Sequence, residues 1–468
     1  MIETLEIAFY LATLVAAGRA VLSLIPNGAE RSHAETAALS ILLGCGCVPS
    51  AMFILASIGI RPNRWELAAT MLISIAILAR ARRHERKPGA EPETRAGWPR
   101  FEWNRSAAIS AVCAVVALAG FAVVWSHATL MPAFDVDAYG HWGLKAKVLF
   151  HEGLTPDGFF HRLPLSYSHL NYPLLVPFLA SGVFAAIGHL DDSSWRAVFP
   201  LLYAGGILFM YSSLRWKLSA IPAALLATAF ATAPATIRWA GSGLADFPLA
   251  AFHAVSIFHL VKYLEEKKTG DFAISALATA FCAFTKNEGL ALAALNAAVL
   301  AAFHIPKPFS KRKAAEAALF AAALALLTAP YLIWRAGIPN TQAENYTGRL
   351  LRILEPENLA RLTETARLFA AEMFDPNRWG LLWLMLPLAA VFNLSAFEKR
   401  RVLAMWTLLA GHLAIYAMAF MISPWSPKFL ADMALDRIIL HAAPALIYLL
   451  AFHIEPDNAK QTPDSHAA

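Results

Sequence analysis

Apolar runs long enough to cross a bilayer recur through this chain. Residues 106–128, SAAISAVCAVVALAGFAVVWSHA, carry no Asp, Glu, Lys or Arg. About 20 such residues, wound as a helix, span the hydrocarbon. Comparable runs lie near 5–25, 37–60, 65–80, 172–188, 192–214, 218–240, 247–264, 270–285, 289–305, 314–336, 379–394, 402–422 and 438–453. With 58% hydrophobic and 15% charged residues over 468 positions, a soluble domain is excluded in favour of an integral membrane protein. The expected fold is all-α: a polytopic transmembrane bundle of about 13 spans.

Between the runs, Lys and Arg collect in short loops. These are RARRHERKPGAEPETRAGWPR (80–100), KYLEEKK (262–268), KPFSKRK (307–313) and EKRR (398–401). Such loops face the cytoplasm, so the basic balance sets orientation and does not imply nucleic acid as a partner. The intervening polar stretches, 129–171, the surroundings of Asp246, 285–289, 337–378 and 423–437, are then expected outside. Residues 1–25 read as a first span and not as a removed leader. Cys45, Cys47, Cys113 and Cys282 lie in apolar runs and show no metal-ligand spacing. The divisions expected are an N-terminal group of about three spans (1–82), a basic linker (83–105), a main membrane region (106–453) and a polar tail (454–468). One conflict stands in this layout. Asp137 and Asp246 share a face only if an even number of crossings separates them, and three apolar runs do.

Ionisable residues concentrate in FDVDAYGHWGLKAKVLFHEG (134–153). Read as a helix over 137–152, it places Asp137, His141 and Lys145 on one face at i, i+4 and i+8. Trp142 and Tyr139 suit an amphipathic helix lying in the membrane interface. An ordinary solvated charged face is the plain alternative. Asp246 begins an apolar run, where a carboxylate near hydrocarbon costs on the order of 2–3 kcal/mol; with Pro248 just inside the helix start it can equally act as a cap. Lys286 and Glu288, in FTKNEG, either neutralise one another or face a ligand. Arg437 and His441 lie four apart at the start of the last run, and Arg437 can bind phosphate or snorkel to lipid headgroups.

Acids near a membrane face can deprotonate a hydroxyl or hold a divalent cation, and cations there can balance a phosphate leaving group. The spacing of Asp135 and Asp137 permits a metal held with Asp246. The composite describes group transfer from a lipid phosphate to a hydroxyl. The alternative is a transporter or flippase of a lipid-linked or amphiphilic substrate, for which an inverted repeat and midplane charges would be expected; no repeat is visible.

DVDAYGHWGLKAKVLFHEG, YPLLVPFLA (172–180), LADFPLAAF (244–252), FTKNEGLALAA (284–294) and DRIILHAAPAL (436–446) occur in that order. The series resembles the motifs of GT-C membrane glycosyltransferases, in the branch with protein O-mannosyltransferases and lipid A aminoarabinose transferases. The resemblance implies a multi-span enzyme, with its site at the outer face, taking a sugar from a polyprenyl-phosphate carrier with inversion. It implies Asp137 or Asp135 as the base, Asp246 at the second acidic position, Lys286 after the small-residue turn and Arg437 near the donor phosphate. His141, Lys145, Glu288 and His441 join them as candidate substrate contacts. The acceptor hydroxyl can belong to a lipid, a glycan or a protein, and the Ala- and Arg-rich composition suits a bacterial inner membrane. Two departures stand out: about three extra spans precede the first acid, and Val136 separates two acids that are often adjacent. The loop 337–378, with Tyr346, Arg349 and Arg352, falls where relatives build donor or acceptor contacts.

Overall fold

The computed structural model describes residues 2–26, 31–85, 105–305, 309–339 and 346–455. Most of the expected linker and nearly all of the tail lie outside these residues. The described residues are mainly helical and contain no strand. An N-terminal group comprises α1 (Ile2–Leu24), α2 (His33–Ser57) and α3 (Arg64–Glu85), and α4 (Arg105–Thr129) follows. A π-helical turn, Ala138–Gly143, runs into the short α5 (Leu144–His151). Next come α6 (Leu175–Ile187), α7 (Val198–Leu214), α8 (Ala220–Thr232), α9 (Pro234–Ala240), α10 (Asp246–Glu266), α11 (Thr269–Thr285), α12 (Asn287–His304) and α13 (Lys311–Ala336). Four smaller helices, α14 (Tyr346–Leu350), α15 (Pro356–Ala360), α16 (Leu362–Met373) and α17 (Pro376–Trp379), precede α18 (Leu382–Phe392), α19 (Arg400–Ile422) and α20 (Pro427–Ile454).

The count of about 13 spans is not sustained. Eight helices among the described residues are long and apolar enough to cross, or nine if α8 and α9, bent by 61° at Ala233, form one broken span. The runs at 172–188, 270–285 and 379–394 become helices of 13, 17 and 11 residues. At 1.5 Å per residue, 13 residues reach about 20 Å, short of a hydrocarbon core of about 30 Å. Those at 65–80 and 289–305 become α3 and α12, which carry polar residues within their length.

The short α6 resolves the parity conflict. Before it, Asn171 accepts a hydrogen bond from Tyr331 near the end of α13, and His169 packs on His141. After it, Asp192 pairs with Lys147 of α5. Both ends of α6 therefore lie at the same end of the bundle, and it is buried along its whole length. Only α7 and the bent α8–α9 then separate Asp137 from Asp246, an even number. At the opposite end, Lys217 and Arg401 both pair with Glu265. Tyr263 donates to Glu316, one turn from Arg312. The basic loops at 262–268, 311–313 and 398–401 thus gather away from Asp137.

The core follows from small residues that let backbones meet. A Cβ on Gly18 would lie 1.8 Å from the Ser40 carbonyl oxygen, and one on Gly44 1.8 Å from that of Leu14. This close crossing of α1 and α2 is the small-residue packing expected where helix association cannot rely on the hydrophobic effect. Gly18→Leu is expected to cost about 3 kcal/mol or more, read as a lower melting temperature in detergent. Gly337→Ala, where the new methyl meets only the Trp334 carbonyl oxygen at 3.5 Å, serves as the near-neutral control.

Candidate active site

Asp137 is placed by two local devices. The Asp135 carbonyl accepts from the Ala138 and Tyr139 amides at 2.9 and 3.3 Å and starts the π-helical turn. Arg196, fully buried, donates to the carbonyls of Met131 and Gly241. It thereby staples the segment leading to Asp137 onto the segment leading to Asp246.

Asp137 Oδ2 accepts from Arg437 Nη1 at 2.7 Å, and its Oδ1 lies 3.2 Å from His141 Nε2. Burial opposes ionisation of this carboxyl. The hydrogen bonds from His141 and Arg437, with the Arg437 charge, prevail and hold it well below the usual carboxylate range. Arg437 also donates to the Met433 carbonyl at 3.0 Å and sits 5.6 Å from the centre of the Trp239 ring. Trp239 Nε1 donates to Asp436 at 3.1 Å, and Arg378 of α17 pairs with the same carboxylate at 2.8 Å. A chain of polar contacts thus seats the guanidinium beside Asp137.

The second acid begins α10. Asp246 is 1% exposed, and its Oδ1 accepts from Lys286 Nζ at 2.8 Å and lies 3.1 Å from His441 Nε2. Lys286 occupies the extended break between α11 and α12, so its side chain is free of either helix's register. It also pairs with Glu288 at 3.0 Å. Tyr416 Oη stands 2.8 Å from His441 Nδ1. A neutral His441 facing a carboxylate donates from Nε2, which leaves Nδ1 to accept from the tyrosine. Arg437 lies within electrostatic reach of Asp246 as well as bonding Asp137, so the two clusters form one polar floor.

Asp137, His141, Asp246, Lys286, Glu288, Arg437 and His441 therefore stand together, although they come from four segments. Asp135 stands apart, half-buried on the side of Arg196 and His127. Lys145 also leaves the expected face. The π-helical turn adds a residue to the first turn, so the straight i, i+4, i+8 register fails beyond His141. Lys145 is instead fully buried and donates to the His169 carbonyl at 2.6 Å. In the 337–378 loop, Tyr346 bonds Ser423 and lies within electrostatic reach of Glu288, while Arg352 pairs with Glu355 at the surface.

The metal expected on Asp135, Asp137 and Asp246 does not fit. Among the described residues no three His, Cys, Asp or Glu come close enough to hold an ion. Asp137 and Asp246 are bonded to an arginine and a lysine, whose charges repel a cation, besides two histidines.

His169 is a site residue that the sequence reading passed over. It has left-handed backbone, φ 52°, an uncommon and costly state for a residue with a side chain. Its ring stacks on Tyr172 at 4.5 Å and meets His141 edge-on at 4.6 Å. Burial, aided by the neighbouring His141 and Lys145, pushes its pKa down to about 4. Tyr416 was passed over too, although a Tyr four residues after His412 inside an apolar run was a usable signal.

Burial pushes Lys145 down to about 7. Between that value and the unfolded one of about 10.4, the folded chain holds fewer protons. Apparent stability should therefore be greatest above the unfolded value and fall as pH drops to about 7. Lys145→Met should remove this slope of up to about 1.4 kcal/mol per pH unit, read from melting temperatures across a neutral-to-alkaline pH series.

Residues 171–334 match a family model described as dolichyl-phosphate-mannose-protein mannosyltransferase. The matched stretch carries Asp246, Lys286 and Glu288; Asp137, Arg437 and His441 flank it. Among solved structures, the chain is similar to the archaeal oligosaccharyltransferase AglB from Archaeoglobus fulgidus, in complex with an inhibitory peptide and a dolichol-phosphate. The identity is 14% and the TM-score 0.42, over 73% of this chain and 50% of that one. The chain thus spans half the length of that protein. No curated protein matches it. The match covers about a third of the chain; over that stretch the chain is similar to dolichyl-phosphate-mannose-protein mannosyltransferases, in agreement with the resemblance read from the ordered motifs.

Proposed function

We propose that the chain transfers a sugar from a polyprenyl-phosphate carrier to the hydroxyl of a lipid, glycan or protein, with inversion, at the outer face of a bacterial inner membrane. The observation that carries this reading is the shared floor on which one acid is bonded to Arg437 and another to Lys286. The polyprenyl-type carrier is supported by the dolichyl phosphate in the name of the matching family. The outer face is supported by the basic loops, which collect at the other end of the bundle. The polar cluster lies at one end and not at mid-depth, which favours transfer over translocation.

In this mechanism the donor phosphate competes for Arg437 and draws it from Asp137. The carboxylate then loses its strongest partner and becomes a better base only once the donor is seated. Asp137 takes the acceptor's hydroxyl proton. The acceptor oxygen bonds the anomeric carbon, and the bond from that carbon to the phosphate oxygen breaks. The electron pair leaves with polyprenyl phosphate, whose added charge Arg437 and Lys286 balance. Asp246, fixed by Lys286 and His441, orients the lysine.

The test uses purified protein in nanodiscs with a panel of polyprenyl-phosphate sugars. Released polyprenyl phosphate is the readout. Release with one donor, dependent on Asp137, supports the assignment. Passage of an intact lipid-linked sugar across vesicles without release would replace it with transport.

A further inference from the structure

A second site lies at the far end of α5 from Asp137, about 20 Å away at helical rise. A cavity of about 590 Å³ opens between the turn joining α2 to α3 and the loop after α5. Its charged lining is Arg61, Glu152, Asp157 and Arg162. That volume suits a headgroup or a small ligand. One wall belongs to the N-terminal helices that precede the motif series, so this cavity is built where the chain departs from the family pattern.

Arg61 donates to the His151 carbonyl and joins the two walls. Glu152 Oε2 accepts from the Phe159 amide at 3.2 Å and shapes the loop. Gly153, with φ 70°, supplies the left-handed turn out of α5. Among the described residues, none of the four charged side chains is in an ion pair with another residue. Two guanidiniums and two carboxylates thus surround one space without neutralising each other. In the same stretch of chain, Ile58 after α2 and Trp65 at the start of α3 are 71% and 77% exposed, apolar and aromatic surface suited to the lipid interface.

We propose that this cavity binds the zwitterionic phosphate–ammonium headgroup of a lipid. Arg61 and Arg162 suit the phosphate, for which guanidinium offers paired donors. Glu152 and Asp157 suit a primary ammonium. A purely anionic headgroup meets two carboxylates it cannot satisfy, and a quaternary ammonium offers them no hydrogen bond. The contacts are exposed and individually weak. A lipid held in the same plane is presented at high effective concentration, so weak contacts suffice. The bound lipid would pin the N-terminal helices to the segment that carries Asp137.

Native mass spectrometry of the full chain tests this, after equilibration with vesicles of equal parts phosphatidylethanolamine, phosphatidylglycerol and phosphatidylcholine. Phosphatidylethanolamine should be retained about tenfold over the others. Arg162→Ala, which removes a side chain with no hydrogen bond among the described residues, should cut that enrichment at least threefold without lowering the melting temperature. Arg61→Ala with Arg162→Ala should abolish it, and Asp157→Asn should let phosphatidylglycerol rise toward parity. Equal retention of the three lipids by the unaltered chain, or enrichment unchanged in Arg162→Ala and Asp157→Asn, overturns the proposal. Two sources share this headgroup chemistry, bulk phospholipid and the head of a lipid acceptor. A sugar-mass increment on the retained lipid after donor is added identifies the acceptor; its absence identifies bulk lipid. Retention is read before any donor is added, so its outcome is independent of the glycosyl-transfer reading.

Discussion

Asp137→Asn is expected to lower sugar transfer by about 10³-fold, within the range for loss of a positioned base, while the protein still inserts and folds. Asp135→Asn should keep activity within about threefold of wild type, since its partners lie outside the polar floor. The contrast follows from placement: Asp137 bonds both His141 and Arg437, whereas Asp135 faces Arg196 and His127. A kinetic signature separates a lost base from a damaged site. In Asp137→Asn, Arg437 is no longer held by a carboxylate, so the donor phosphate meets less competition. The rate constant for transfer should collapse while the donor KM stays level or falls. A fully active Asp137→Asn, or an inactive Asp135→Asn beside it, would exchange the two roles or remove both.

The second large effect concerns Lys286. Asp246 is 1% exposed, so Lys286→Met leaves a buried carboxylate bonded to His441 alone, with no cation in direct contact. Breaking such a pair from one side costs about 3–5 kcal/mol. A marked drop in the detergent melting temperature, along with loss of transfer, is therefore expected. Replacing both partners, Asp246→Asn with Lys286→Met, should recover the stability lost at Asp246, since the carboxylate left without its lysine is then only the partly exposed Glu288. It should not recover transfer, because the cation that the proposed mechanism sets against the leaving phosphate is still missing. A double variant that regains activity would reduce this pair to a structural role.

The residues that could be read from sequence were those whose presence in an apolar chain needed a reason. Asp246, Lys286 and Arg437 each stand at the edge of a hydrophobic run, where a charge is costly. Their order along the chain sufficed to anticipate one shared site. His141 followed from helical spacing because it lies one turn from Asp137. Lys145 lies two turns away, and the π-helical turn between them leaves no mark in the pattern of polar and apolar residues. His169 was silent for a different cause: its role depends on a left-handed backbone and on ring contacts formed only after folding.

The span count was overread for one physical reason. An apolar run that ends as a short helix has the same composition as one that continues across the membrane. The runs that became α6, α11 and α18 satisfied the hydropathy criterion but not the length criterion. Tertiary contacts at both ends were needed to show that α6 begins and finishes at one end.

That hairpin-like excursion separates two properties usually tied together in a polytopic chain. The length of α6 contributes nothing to the up-or-down alternation of the helices after it. Trimming or extending it would change the packing around it without inverting the helices that follow.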